Sequence, residues 1–301
     1  MAETPAQEVK ALFKRWRSGD ADAGVSMAQR FSDWYYAITV MRLGDQQARA
    51  PLERACQMFA QRIMDITKAD ELIDFAHRIV LDEVRQAGGR AQGSDSPNAM
   101  TNGQPPSKLL AKARTGMPAE QIQLLNQIYA GTSAASDPTS SPIEALQARH
   151  ALKLWLSRNA RVPFTVLPSE PVLDHAPLPL YEGARLRSED EERVFEQWLL
   201  RDIELCKDIA EFSAFAHAIR GGALQAPGAA TSAGRSASTD ADQRSAQASS
   251  SPSSQSTPST SRMDPLPEPA PASSGAARFI SIAVLGAIIV GALMLAKIFM
   301  G

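Results

Sequence analysis

The chain has 301 residues, with 31 Lys and Arg against 33 Asp and Glu, for a formal net charge of -2. So even a balance excludes a highly charged nucleic-acid coat and an acidic solvating chain. Two cysteines, Cys56 and Cys206, are too few for a disulfide-rich secreted scaffold or a four-thiolate zinc site.

The N-terminus, MAETPAQEVKALF, lacks the apolar core of a signal peptide. Residues 8–87 read as a helical domain. Apolar residues recur three and four apart: Val25, Ala28, Phe31, Trp34, Tyr35, Ile38 and Met41, then Leu72, Phe75, Ala76, Ile79, Val80 and Val84. Gly44 and Asp45 punctuate one helix pair, and Asp70 is placed to cap a later helix. Residues 1–90 carry 13 basic and 13 acidic side chains. Residues 88–106, GGRAQGSDSPNAMTNGQPP, read as a linker.

A second helical segment is expected over residues 107–165. Its residues 107–161 carry 7 basic and 3 acidic groups, net +4, a balance suited to phosphate contact. SAASDPTSSP interrupts it, and two prolines there forbid a regular helix. A third helical module, 171–222, has the opposite sign: 6 basic and 11 acidic, net -5. Ser188 followed by Glu191 starts a capping box. Trp198, Leu205, Phe212 and Ile219 then repeat every seven residues, flanked by Phe195 and Ile209, with Asp202 interrupting. This is one apolar seam along a helix or a bent helix pair, which packs on its own domain or grips a separate helical partner.

Residues 224–277 hold 14 Ser, 7 Pro and 12 Ala and no aromatic residue, the composition of a disordered tether. Phe279–Ala296 follows, an 18-residue run without charge. If Lys297 snorkels, the apolar stretch of residues 279–300 is about 22 residues, roughly 33 Å of helix, enough to cross a bilayer. Ala283, Ala287 and Gly291 form a small-residue stripe on it that would let two copies associate. With the membrane signal at the C-terminus only, the expected arrangement is a tail-anchored, single-pass protein of the bacterial inner membrane, its N-terminal region cytoplasmic and its two thiols free. The expected fold class is therefore all-α: helical bundle modules, a disordered Ser/Pro/Ala-rich linker and a single transmembrane helix.

The words are more specific than the period. LFKRWRSGDADAG precedes an aromatic-rich helix ending MRLGD, and ELIDFAHRIVLDEVRQ follows. This order resembles region 2 of the extracytoplasmic-function sigma factors, of the sigma-70 family. The resemblance implies that the helix with Phe75, Arg78, Asp82 and Arg85 faces the promoter -10 element, and that the preceding helix docks on core RNA polymerase. That preceding stretch reads Gln46-Gln47-Ala48-Arg49-Ala50-Pro51, with no acid until Glu53, where the family has an acidic pair. TGMPAEQIQLLNQIYAGTS resembles the opening of region 4, and ALQARHALKLWLSR stands where its recognition helix lies, which implies DNA-facing Arg149, Lys153 and Arg158. PLYEGARLRSEDEERVFEQWLLRD resembles the N-terminal helices of anti-sigma factors of the zinc-binding and iron-transport regulator types. Where the zinc type has His-x3-Cys-x2-Cys, this chain has Trp198, Asp202 and Leu205, so no zinc site is expected.

Catalytic motifs are missing: there is no phosphate loop, dinucleotide fingerprint, His-Glu-x-x-His or nucleophile elbow. His77, His150, His175 and His217 are scattered. No enzyme, cofactor or metal is expected. The sequence points to a membrane-tethered regulator of the sigma/anti-sigma type that acts by sequestration, the acidic third module covering the basic second one or a separate sigma factor. Its partners would be a sigma factor, RNA polymerase or DNA, with a homodimer through the span. The alternative is a tail-anchored membrane adaptor or scaffold without transcriptional activity.

Overall fold

A computed structural model describes residues 5–89, 95, 97–98, 100–130, 141–167 and 170–225. The Ser/Pro/Ala-rich stretch from residue 226 onward, the apolar run 279–300 and its Ala283, Ala287 and Gly291 stripe lie outside the described residues. Among those described there is no strand, and ten α-helices: α1 Pro5–Arg17, α2 Ala21–Leu43, α3 Asp45–Arg62, α4 Leu72–Gln86, α5 Pro106–Gly116, α6 Ala119–Leu125, α7 Pro142–Ala160, α8 Leu178–Glu182, α9 Glu189–Leu199 and α10 Ile203–Arg220. None of them is long and apolar enough to cross a membrane.

Helix α2 is the centre of the fold. Asp20 starts it, its carboxylate accepting from the Ala23 N–H at 3.0 Å and from Arg15 Nε at 2.9 Å. These donors hold its pKa below the usual carboxylate value, the backbone N–H first. Gly44 ends α2 with φ +77, a left-handed conformation that a Cβ disfavours. Between the two caps Phe31, Trp34, Tyr35 and Ile38 are fully enclosed. Helix α2 buries more than one stripe because α1, α3, α4 and α10 all pack on it.

Helix α10 belongs to the acidic segment yet lies along α2, and it also touches α5 and α8. Helix α7 packs on α5, α6 and α8. One hydrophobic cluster consequently runs from Val9 to Leu224 through all three segments. The segments expected at 8–87, 107–165 and 171–222 each bury apolar side chains in this shared cluster. The 88–106 stretch also departs from a plain linker at its described positions. Thr101 is buried, Asn98 Oδ1 accepts from the Thr101 N–H at 3.0 Å, and the Asp95 carboxylate accepts from the Ser107 N–H at 2.6 Å at the start of α5.

Local signals hold at α9. Ser188 Oγ accepts from the Glu191 N–H at 3.2 Å, while the Glu191 carboxylate reaches back to the Arg187 N–H at 2.8 Å. Asp202 breaks the seam by capping α10, accepting from the Leu205 N–H at 2.9 Å. Asp70 is a correction: it sits in a single 3-10 turn, Ala69–Glu71, and makes no cap. It pairs with Lys10 of α1 instead, which lowers its pKa.

Candidate functional site

Two clusters of buried charge tie the acidic segment to the rest of the chain. The first centres on α7. Arg149 and Lys153 project from its core-facing side, one turn apart, and both are fully buried. The Arg149 guanidinium forks onto Glu182, with Nε–Oε2 at 2.7 Å and Nη2–Oε1 at 2.6 Å. Its remaining nitrogen, Nη1, donates to Asp208 Oδ2 at 2.7 Å. Lys153 Nζ donates to the other Asp208 oxygen and to Glu211 Oε2 at 3.3 Å. Tyr129 O–H donates to Glu182 Oε2 at 2.5 Å. The Glu211 carboxylate also holds a loop, accepting from the Thr165 N–H at 2.9 Å and the Val166 N–H at 3.2 Å. Phe212 lies under the guanidinium at 4.5 Å, and Phe164 under the ammonium at 4.6 Å.

Two basic groups thus face three carboxylates. Burial pushes the Glu182 pKa up despite its Arg149 partner. Burial acts the same way on Asp208, but the charges of Arg149 and Lys153 outweigh it and hold this pKa down. Burial and the buried Glu182 charge push Tyr129 up, so it stays a donor. His150, beside Arg149 on the same helix, is pushed down to about 4 by burial and then by the Arg149 charge.

The second cluster joins α9 to α2 and α4. Glu196 is fully buried. It accepts from Arg42 Nε at 2.7 Å and Tyr181 O–H at 2.9 Å, and lies 2.8 Å from His77 Nε2. Burial would raise its pKa; His77 and Arg42 reverse that and lower it. Arg42 Nη2 also donates to Glu192 at 3.2 Å, Trp34 Nε1 to the Glu196 carbonyl at 2.5 Å, and Gln197 Nε2 to Asp74 at 2.7 Å.

The expected DNA-facing set divides. Arg78, Asp82 and Arg85 are exposed on α4, with Arg85 paired to Asp82 at 3.2 Å. Phe75 is half-buried, 6.5 Å from Phe59 and under Arg62. Arg158 is exposed near the end of α7. Arg149 and Lys153 are not brought to that surface. They are enclosed, with their charge taken up by Glu182, Asp208 and Glu211, and in this arrangement they do not present to DNA. Of the expected seam, Phe195, Leu205, Ile209, Phe212 and Ile219 are buried in the chain's own core. Trp198 alone is half-exposed, against Phe195 and His175 at 5.7 Å each.

Sequence reasoning missed Glu182, Glu196, Asp208, Glu211, Arg42 and His77 as a set. A signal was available. Asp208 and Glu211 occupy the same helix face as Leu205, Ile209 and Phe212, and Glu196 adjoins Phe195 and Leu199. A charge on an apolar face needs a buried partner. Among the described residues no group of three or more His, Cys, Asp or Glu side chains is placed to hold a metal ion. Comparison with family models, with curated proteins and with solved structures finds no match.

Proposed function

We propose that the chain is a membrane-tethered regulator of the sigma/anti-sigma type that works by sequestration within one chain. The acidic segment closes over the basic one, and the regulator acts when that closure is released. One observation carries this reading: the two basic residues expected on a recognition helix, Arg149 and Lys153, are bound by three acids of the third segment. Opposite net charges on the two segments support it, as does the second clasp at Glu196. The exposed Arg78, Asp82 and Arg85 leave the helix that resembles the promoter-facing one open. The apolar run 279–296 supplies the tether.

The test is transcript profiling after deletion and after overexpression of the full-length chain, with co-purification probed for RNA polymerase core and for sigma factors. A discrete set of changed transcripts together with a captured polymerase or sigma subunit is expected. No changed set and no captured subunit overturns the reading. A second reading, a membrane adaptor without transcriptional activity, is favoured by the shared core, since one hydrophobic cluster runs through all three segments. It predicts that negative result.

A further inference from the structure

Three of the large hydrophobic side chains exposed among the described residues flank, along the chain, a ring contact between His175 and Trp198. Leu173 is 71% exposed, Val194 62% and Val172 48%. Val194 and Trp198 are four residues apart on α9 and so share a face. Trp198 meets the His175 ring edge-on at 5.7 Å. His175 closes the 3-10 turn Leu173–His175, its N–H bonding the Val172 carbonyl at 2.9 Å. The patch continues into an open groove of about 290 Å³ floored by Ile73, Trp198 and Leu200. Much of the polar rim is already paired: Lys10 with Asp70, Gln197 with Asp74 at 2.7 Å, and His175 with Asp202 at 3.1 Å, with Arg201 exposed beside them. The apolar side chains are left to be covered.

We infer that this face, Val172–Leu173 with Val194 and Trp198, docks on the bilayer to which the chain is tethered. The inference rests on the membrane part of the proposed function. Between Gln225, where the described chain ends, and Phe279 lie 53 residues. A random coil of that length reaches on the order of 40 Å, enough to bring any face of the folded part to a membrane. The tether matters energetically as well. Two or three shallow apolar side chains bind a bilayer too weakly from solution, but a fixed span raises the effective lipid concentration and makes the contact intramolecular. A half-exposed indole beside aliphatic side chains at a turn tip suits the headgroup boundary. Charge sets the lipid class. The charged side chains that line the groove balance, Lys10 and Arg201 against Asp70 and Asp74, so docking needs no anionic headgroup.

The test uses the full-length chain in vesicles of phosphatidylcholine brominated in its acyl chains, with tryptophan fluorescence as the readout. Strong quenching is expected, largely lost in Trp198→Phe. Leu173→Glu and Val194→Glu should each lower the docked-to-free ratio roughly tenfold. Replacing part of the lipid with phosphatidylglycerol should leave quenching equal or weaker. Equal quenching of the wild type and Trp198→Phe overturns the proposal. So does quenching that grows with phosphatidylglycerol and falls with salt, which marks a basic surface instead, or shielding of Trp198 that depends on protein density, which marks contact between copies. If the chain fails to float with the vesicles, the tether itself is wrong, and that outcome is separate from loss of docking alone.

Discussion

Arg149 shows what a charge does when a fold encloses it. It makes three hydrogen bonds to two carboxylates and covers the Phe212 ring. Replacing it with Met keeps most of the volume but leaves Asp208 with only Lys153 and Glu182 with only the Tyr129 O–H. Arg149→Met should cost about 3–5 kcal/mol in urea unfolding, because a stranded buried charge loses more than the pair gained. His150 gives a pH signature. Burial and the Arg149 charge push its pKa down to about 4 in the folded chain, against about 6.5 for an unperturbed histidine, so the unfolded chain binds the extra proton first. Stability is therefore complete above pH 6.5 and falls as pH drops from 6.5 toward 4. His150→Asn should flatten that slope in thermal melts taken across the range; an unchanged slope assigns it to other groups. At this scale the sequence showed that Arg149 and Lys153 belong to a segment with a basic excess. It did not show the destination, since phosphate and carboxylate attract a guanidinium alike.

The helices were legible because their signals are local. Asp20 and Ser188 cap the helices that follow them, and Asp202 breaks the seam where its polarity interrupts the apolar repeat. Asp70 was misread because a cap and a salt bridge ask for the same residue type, and only the position of Lys10 on α1 decides between them. Gly44 is the joint between α2 and α3, at φ +77, with His217 of α10 close beside it. Gly44→Ala should destabilise the chain by about 1–2 kcal/mol, the cost of a Cβ in the left-handed region. Chemical denaturation checks this; a neutral result would mean that the α2–α3 joint relaxes to a negative φ.

For the whole molecule, opposite charges on the second and third segments were visible from counting, and ion pairs join those two segments in the structure. Which acid meets which base was not visible. Asp208 lies 59 residues from Arg149, and Glu196 lies 119 from His77. Such pairings follow from how α7, α8, α9 and α10 stack, not from any local spacing. The apolar seam packs within the same chain, α9 on α4 and α10 on α2 and α5. Closure of the acidic segment over α7 is the central claim, and hydrogen exchange of the full-length chain tests it most directly, comparing the wild type with Glu182→Gln/Asp208→Asn. In the wild type, the amides of α7 and α10 should exchange together and slowly. In the variant, α7 should open at least about tenfold faster, a loss of 1.4 kcal/mol or more, while α2 and α3 stay protected. The claim is contradicted if α7 of the wild type exchanges freely while α10 is protected, or if the variant loses protection in α2 and α3 as much as in α7.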